Sequence, residues 1–272
     1  MGEYSTLKFE QRGENIAVIT LNRPERLNAI TWTMVDEMHA VLDLLEKDLN
    51  TRVVILTGEG RGFCSGTDLK GEGDSGDRPA PPSIAAHYRN QRNIGDVVLH
   101  MRKIPQPIIG AINGVAAGGG FSFSMACDIR VAAASARFIC SFINIGLSSG
   151  DVGSSYFLPR LIGLSRAADL LYTGREMLAA EAERIGYVSR VVPDGEAMSA
   201  ALEIARTLLG KSPFGLRMTK EILNHSIDAQ SLESALYLEN RTQVLAVQTG
   251  DFRVAIEHFK RKEPPVYPPE KL

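Results

Sequence analysis

Residues 108–133 read IIGAINGVAAGGGFSFSMACDIRVAA, and no other stretch limits the fold of this chain so tightly. Two short apolar runs enclose an Asn113-Gly114 turn, three successive glycines and a helix of small residues. Gly118, Gly119 and Gly120 carry no side chain, so backbone N–H groups there can come close to a ligand. A helix starting near Gly119 points its unpaired N–H groups, and the positive end of its dipole, at whatever lies in front. That suits an anion, or an oxygen that becomes one during a reaction. Close packing alone also calls for such glycines, and the run by itself leaves both readings open.

The remainder supplies strands and helices in alternation. Residues 16–21 (IAVITL) and 53–57 (VVILT) are apolar on both alternating faces, as strands covered on both sides are. Between them Met34, Val35, Met38, Val41, Leu42 and Leu45 form a helical stripe, and Thr33 with Asp36 predicts a capping box at its start. A further helix is predicted over 84–101, with Ile84, Ile94, Val97, Val98 and Met101 inward. Short strands are expected at 137–140 and 187–192, and helices at 153–161, 164–172 and 179–185. Beyond Gly195 only helical patterns remain: 196–209, 213–226 with Ser212 as cap and Pro213 in the first turn, 231–249, and a continuation from Asp251. This predicts an α/β core over residues 1–194 and a helical subdomain over 195–272. Residues 71–76 (GEGDSG) fit a dinucleotide-binding glycine pattern, but prolines follow where a helix is required, so the segment reads as a surface loop.

Composition narrows the function. Of 272 residues 44% are hydrophobic and 23% charged, and the net charge of -2 argues against nucleic-acid or membrane-surface partners. No apolar run approaches the ~20 residues that span a bilayer. Cys64, Cys127 and Cys140 form no CxxC pair and no even disulfide set, which points to a reducing cytoplasm. No basic and apolar leader is visible at the N-terminus, and the acylation pattern through Gly2 and Thr6 has no basic cluster beside it. No metal-ligand spacing appears, and no cofactor is expected.

Six blocks in order carry a resemblance: LNRPERLNAI at 21–30, GRGFCSGTDLK at 60–70, NGVAAGGGFSFSMACDIRVAA at 113–133, ARFICSFINIGLSSGDVG at 136–153, LLYTGREMLAAEAERIGYVSRVVP at 170–193, and FKRKEPPVY at 259–267. Together they resemble the crotonase (enoyl-CoA hydratase/isomerase) family over almost the whole chain. The resemblance implies an α/β spiral of strand-strand-helix units with a C-terminal helical subdomain, assembled as a homotrimer or dimer of trimers. It implies an acyl-CoA thioester substrate, with CoA part of the substrate and not a cofactor. By position, the N–H groups that hold the thioester oxygen fall on Thr67 and Gly119. CoA contacts are implied for Arg26, Leu27, Ala29, Ser65, Gly66, Asp68, Leu69 and Lys70, and for Lys262, which can reach the CoA of a neighbouring subunit. Arg26 and Lys70 are equally readable as solvated surface charges, and Asp128 reads as structural.

Two departures from that family matter. Hydratases place a glutamate two residues after the glycine run, where this chain has Ser122, and a second one where it has Phe142. Both carboxylates that hold the attacking water and move the proton are absent. Asp151, in SSGDVGSS, stands where isomerase members keep a working aspartate. Among Phe142, Ile143 and Leu147 it could be a proton shuttle with a raised pKa, or it could cap the helix predicted from Gly153. His87 and Tyr88 overlook the acyl pocket in relatives and are candidates to polarise the substrate. The reading expected is a double-bond isomerisation or proton shift through an enolate. A hydratase with non-standard acid and base residues, or an acyl-CoA-binding relative whose catalysis has lapsed, are the alternatives.

Overall fold

A computed structural model describes residues 4–13, 15–69 and 83–267. Lys70, the expected loop beyond it, and Gly2 lie outside the described residues. Among them the strands form two sheets, one of six strands and one of four. β1 (Leu7–Gln11) pairs antiparallel with β2 (Ile16–Leu21), and β3 (Val53–Gly58), β5 (Ile108–Ile112), β7 (Ile129–Ala133) and β10 (Arg190–Val192) extend it in parallel. β4 (Gly62–Cys64), β6 (Val115–Ala117) and β8 (Arg137–Ile139) form the parallel part of the second sheet, closed by antiparallel β9 (Glu176–Leu178).

Each unit contributes one strand to each sheet and then a helix. β3 and β4 lead to α2 (Ile84–Lys103), β5 and β6 to α3 (Gly119–Ala126), and β7 and β8 to α4 (Ser154–Ile162). This is the strand-strand-helix spiral expected. The uninterrupted Val and Ile runs of β2, β3 and β5 follow from it, since both faces of the larger sheet are covered. One face packs on α1 (Trp32–Lys47), α2 and α3 in the main core. The other buries Val18, Ile55 and Ala111 against Ala197, Ala201 and Ala205 of α7 (Ala197–Leu209). The expected boundary at 194/195 therefore falls just before a helix that packs on the core sheet. α8 (Pro213–Ser226), α9 (Leu232–Gln248) and α10 (Asp251–Arg261) follow it, after α5 (Leu164–Thr173) and α6 (Ala179–Arg184) earlier in the chain.

Local expectations differ from the structure in three places. α1 starts two residues earlier than the capping box implied: Thr31 is its cap, and its hydroxyl accepts from Met34 N–H at 3.1 Å. Ile84, expected inward, begins α2 and is 88% exposed, because the helix runs past the core at that end. Residues 187–189 do not join β10; Tyr187 turns inward instead, packing edge-on against Phe121 and Phe138. Ser212 caps α8 as expected, accepting from Gly215 N–H at 2.9 Å. Asp128 is structural: it binds Arg102 at 2.6 Å, Ile108 N–H at 2.8 Å and Lys220 at 3.2 Å, joining α2, β5 and α8. Among the described residues no helix is long and apolar enough to cross a membrane.

Candidate active site

The glycine run sits where the two sheets converge. A Cβ on Gly120 would fall 2.3 Å from the carbonyl oxygen of Cys64, and one on Gly66 2.9 Å from that of Ala117. Only glycines let the end of β4 and the start of α3 approach this closely. Gly66, at φ +91°, turns the chain so that Thr67 follows beside Ile30: Ile30 N–H donates to Gly66 O at 2.8 Å, and Asp68 N–H to Ile30 O at 3.0 Å. Thr67 N–H, lying between those two bonds, has no acceptor among the described residues, and neither has Gly119 N–H in the first turn of α3. Two unpaired donors thus come from neighbouring glycine-rich segments, one of them at a helix N-terminus.

Both segments border a cavity of about 410 Å³. Ser65, Thr67, Asp68 and Leu69 line one side, Ala117 and Gly118 the floor, and Ile30, Trp32 and Val35 the α1 side. Ser141, Phe142, Ile145 and Leu147 form the far wall, with Asp151 and Gln91 at its edge. Ile145 takes the place expected of Ile143, which does not line it. A volume of that size, mostly apolar with a few convergent polar groups, is what a small-molecule site requires.

Asp151 is the titratable side chain with a perturbed pKa in this wall. Burial pushes its carboxyl above the ordinary aspartate range, against hydrogen bonds from Val152 N–H and the Gln91 amide that pull it down. Gln91 Nε2 donates to Oδ1 at 2.5 Å and Val152 N at 2.8 Å. Asp151 does not cap α4: Gly153, at φ +81°, occupies the cap position, and no side chain bonds the first turn there. The aspartate side chain is instead turned toward the cavity and held by α2.

The positions of the two missing glutamates are filled in ways that exclude their chemistry. Ser122 is fully buried on α3, does not line the cavity, and its Oγ has no hydrogen-bond partner among the described residues. Phe142 presents an aromatic wall. His87 and Tyr88 are exposed on the outer side of α2, Tyr88 at 70%, and neither lines the cavity. Gln91, one turn further along the same helix, does, and sequence reasoning passed it over. Its signal was there: counting back from Ile94 by one turn, a glutamine continues the apolar stripe of α2.

The expected CoA-contacting residues divide. Ser65 and Leu69 border the cavity, and Ser65 N–H is tied to Leu27 O at 3.0 Å. Leu27 and Asn28 take left-handed conformations, held by the buried Asn28 amide, which donates to Gly62 O at 2.8 Å and accepts from Arg23 N–H at 2.8 Å. Asp68 is engaged by Arg23 at 3.1 Å in a buried pair, so its carboxylate holds the loop together. Arg26 and Ala29 belong to the same turn but do not line the cavity, and neither does Lys262, the C-terminal cap of α10.

With this geometry in place, comparison with known sequences is decisive. The sequence model of the enoyl-CoA hydratase/isomerase family matches residues 11–269. The chain belongs to that family. It is 41% identical over 266 residues to a probable enoyl-CoA hydratase of Mycobacterium bovis, covering 97% of this chain and 93% of the relative. It is 36% identical over 258 residues to the 1,2-epoxyphenylacetyl-CoA isomerase of Escherichia coli, covering 93% and 95%. The crystal structure of an enoyl-CoA hydratase from Bacillus anthracis superposes with a TM-score of 0.90 at 33% identity, covering 98% of this chain and 100% of that one. Relatives of both names share the fold, so membership alone does not choose between adding water and moving a double bond.

Proposed function

We propose that this family member is an acyl-CoA isomerase that shifts a double bond or proton through a thioester enolate. The observation that carries the reading is the pairing of Asp151, held by Gln91 at the cavity wall, with a serine and a phenylalanine where water-adding relatives keep carboxylates. In this scheme the thioester oxygen lies against Thr67 N–H and Gly119 N–H. Asp151 takes a proton from carbon, the C–H pair delocalises onto the thioester oxygen, and the two N–H groups stabilise that charge as it develops. The proton then returns from the carboxyl to a different carbon of the conjugated system. A carboxylate with a raised pKa suits both halves, since it must accept and release one proton in each turnover.

The apolar wall of Phe142, Ile145 and Leu147 supports this over hydration, because it offers no second base to orient water. The relative named as a 1,2-epoxyphenylacetyl-CoA isomerase is in keeping with isomer chemistry. The CoA end is assigned to the turn at 26–29 and to Ser65 and Leu69. Lys262 is assigned to the CoA of a neighbouring copy, in a trimer that would cover exposed Tyr237, Leu245 and Phe259 of α9 and α10. Incubation with a panel of unsaturated acyl-CoA esters in deuterated water tests the reading. Isomerised product of unchanged mass apart from carbon-bound deuterium supports it; product heavier by one water contradicts it.

A further inference from the structure

A second cluster of chemistry-bearing side chains lies outside the cavity, on the seam between α1 and α2. Asp43 and Glu46, three residues apart on α1, present carboxylates to His100 of α2. His100 Nε2 lies 3.6 Å from Asp43 Oδ1 and 3.6 Å from Glu46 Oε2. The three donor atoms all lie within 4.8 Å of one another, close enough for small side-chain movements to bring them onto one ion at the usual zinc distance of about 2.1 Å. His100 is nine residues beyond Gln91 on α2, about 13 Å along the helix axis, so the cluster is separate from the cavity.

The reverse side of His100 explains why the cluster calls for a cation. His39 Nε2 faces the carbonyl oxygen of Asn93 at 3.1 Å, and His39 Nδ1 faces His100 Nδ1 at 3.3 Å. A carbonyl has no proton to give, so His39 carries its hydrogen on Nε2 and, when neutral, offers Nδ1 as an acceptor. His100 then donates from Nδ1, and its Nε2 lone pair is left pointing at two carboxylates. Lone pair against carboxylates is repulsive unless one positive charge sits between them. His100 is largely buried, with 13% of its side chain exposed, so its two ring nitrogens face protein groups on either side.

We propose that Asp43, Glu46 and His100 form a site for a divalent transition-metal ion of the zinc class, with water completing the coordination. One imidazole and two carboxylates are a donor set such ions accept, and a ligating histidine typically donates its other N–H to a fixed acceptor, here His39. The bound ion would clip α1 to α2 at the end remote from the cavity. Lys103 opposes it, leaving a local balance of two negative charges against one.

The test is isothermal titration of the full chain, stripped with chelator, with zinc chloride at neutral pH. One saturable site per chain is expected, abolished in Asp43→Asn/Glu46→Gln. His39→Leu, which keeps all three ligands but removes the acceptor behind His100, should weaken binding about tenfold or more. Melting curves in chelator establish that each variant is folded. Absence of saturable binding overturns the proposal, as does zinc binding that survives the double variant. Parent-like affinity in His39→Leu overturns it too, because a simple pool of surface charge would not notice His39. A doubly protonated His100 in nitrogen NMR at neutral pH would show that a proton fills the place instead.

Discussion

Replacing Gly119 by proline removes one proposed oxyanion donor at the position where a helix tolerates proline best. Gly119 is the first residue of α3, its N–H has no acceptor among the described residues, and proline's fixed φ suits a first helical turn. The structural cost can be gauged. A Cβ at Gly119 would crowd Ile30 Cδ1, at 2.8 Å, the end of a flexible side chain, and would touch Ile94 Cδ1 at an ordinary 4.0 Å; moving Ile30 off its rotamer costs about 1 kcal/mol. The chemical cost is larger: losing one oxyanion donor typically lowers kcat by about 10²–10³, equivalent to roughly 2.7–4 kcal/mol. Gly119→Ala is the control, since it adds the same Cβ and keeps the N–H. Steady-state turnover of an acyl-CoA substrate, with melting curves alongside, should show kcat reduced about a hundredfold or more in Gly119→Pro. In Gly119→Ala the loss should stay within about tenfold, as roughly 1 kcal/mol of displaced Ile30 allows. Equal losses in the two variants would refute the role of the N–H, and so would a folded proline variant with parent turnover.

Three other perturbations follow from named contacts. Gln91→Leu removes a donor that favours the ionised form of Asp151, so the carboxyl pKa rises further and the acid limb of kcat/KM moves to higher pH; a pH profile unchanged from the parent contradicts this. Asp128→Ala leaves buried Lys220 without its counter-charge and should lower stability by about 3 kcal/mol, read as a drop of roughly 5–10 °C in Tm, with turnover per folded molecule unchanged. Burial pushes the thiols of Cys64, Cys127 and Cys140 up to about 12, so none should react with a thiol-specific disulfide reagent in the native protein at neutral pH, and all three should react in denaturant.

The framework was legible in the sequence wherever burial imposes a period. The runs at 16–21 and 53–57, the α1 stripe and the glycine run each have one low-energy solution, and the structure adopts it. What escaped depends on contacts between distant segments. Thr31 and Thr33 both stand at the start of α1, and it is the Thr31 hydroxyl that accepts from Met34 N–H. Asp68 looks like a polar loop residue until Arg23 is found beside it. For the candidate site, the glycine positions followed from the backbone demand for close approach, whereas Gln91 was missed because a helix surface can carry a glutamine for many reasons. His87 and Tyr88 were drawn from relatives and point outward here. Asp151 was readable as cap or as acid, and the choice rests on Gly153 occupying the cap position and Gln91 reaching across from α2.

The central claim is that Asp151 moves the proton. Asp151→Asn keeps the size of the side chain and can still accept from Gln91, but it cannot take a proton from carbon. With a turned-over acyl-CoA ester in deuterated water, mass spectrometry reads deuterium entering the acyl chain. The account predicts rapid incorporation with the parent protein and none above background with Asp151→Asn, which should still bind the ester. Undiminished incorporation in that variant would contradict it.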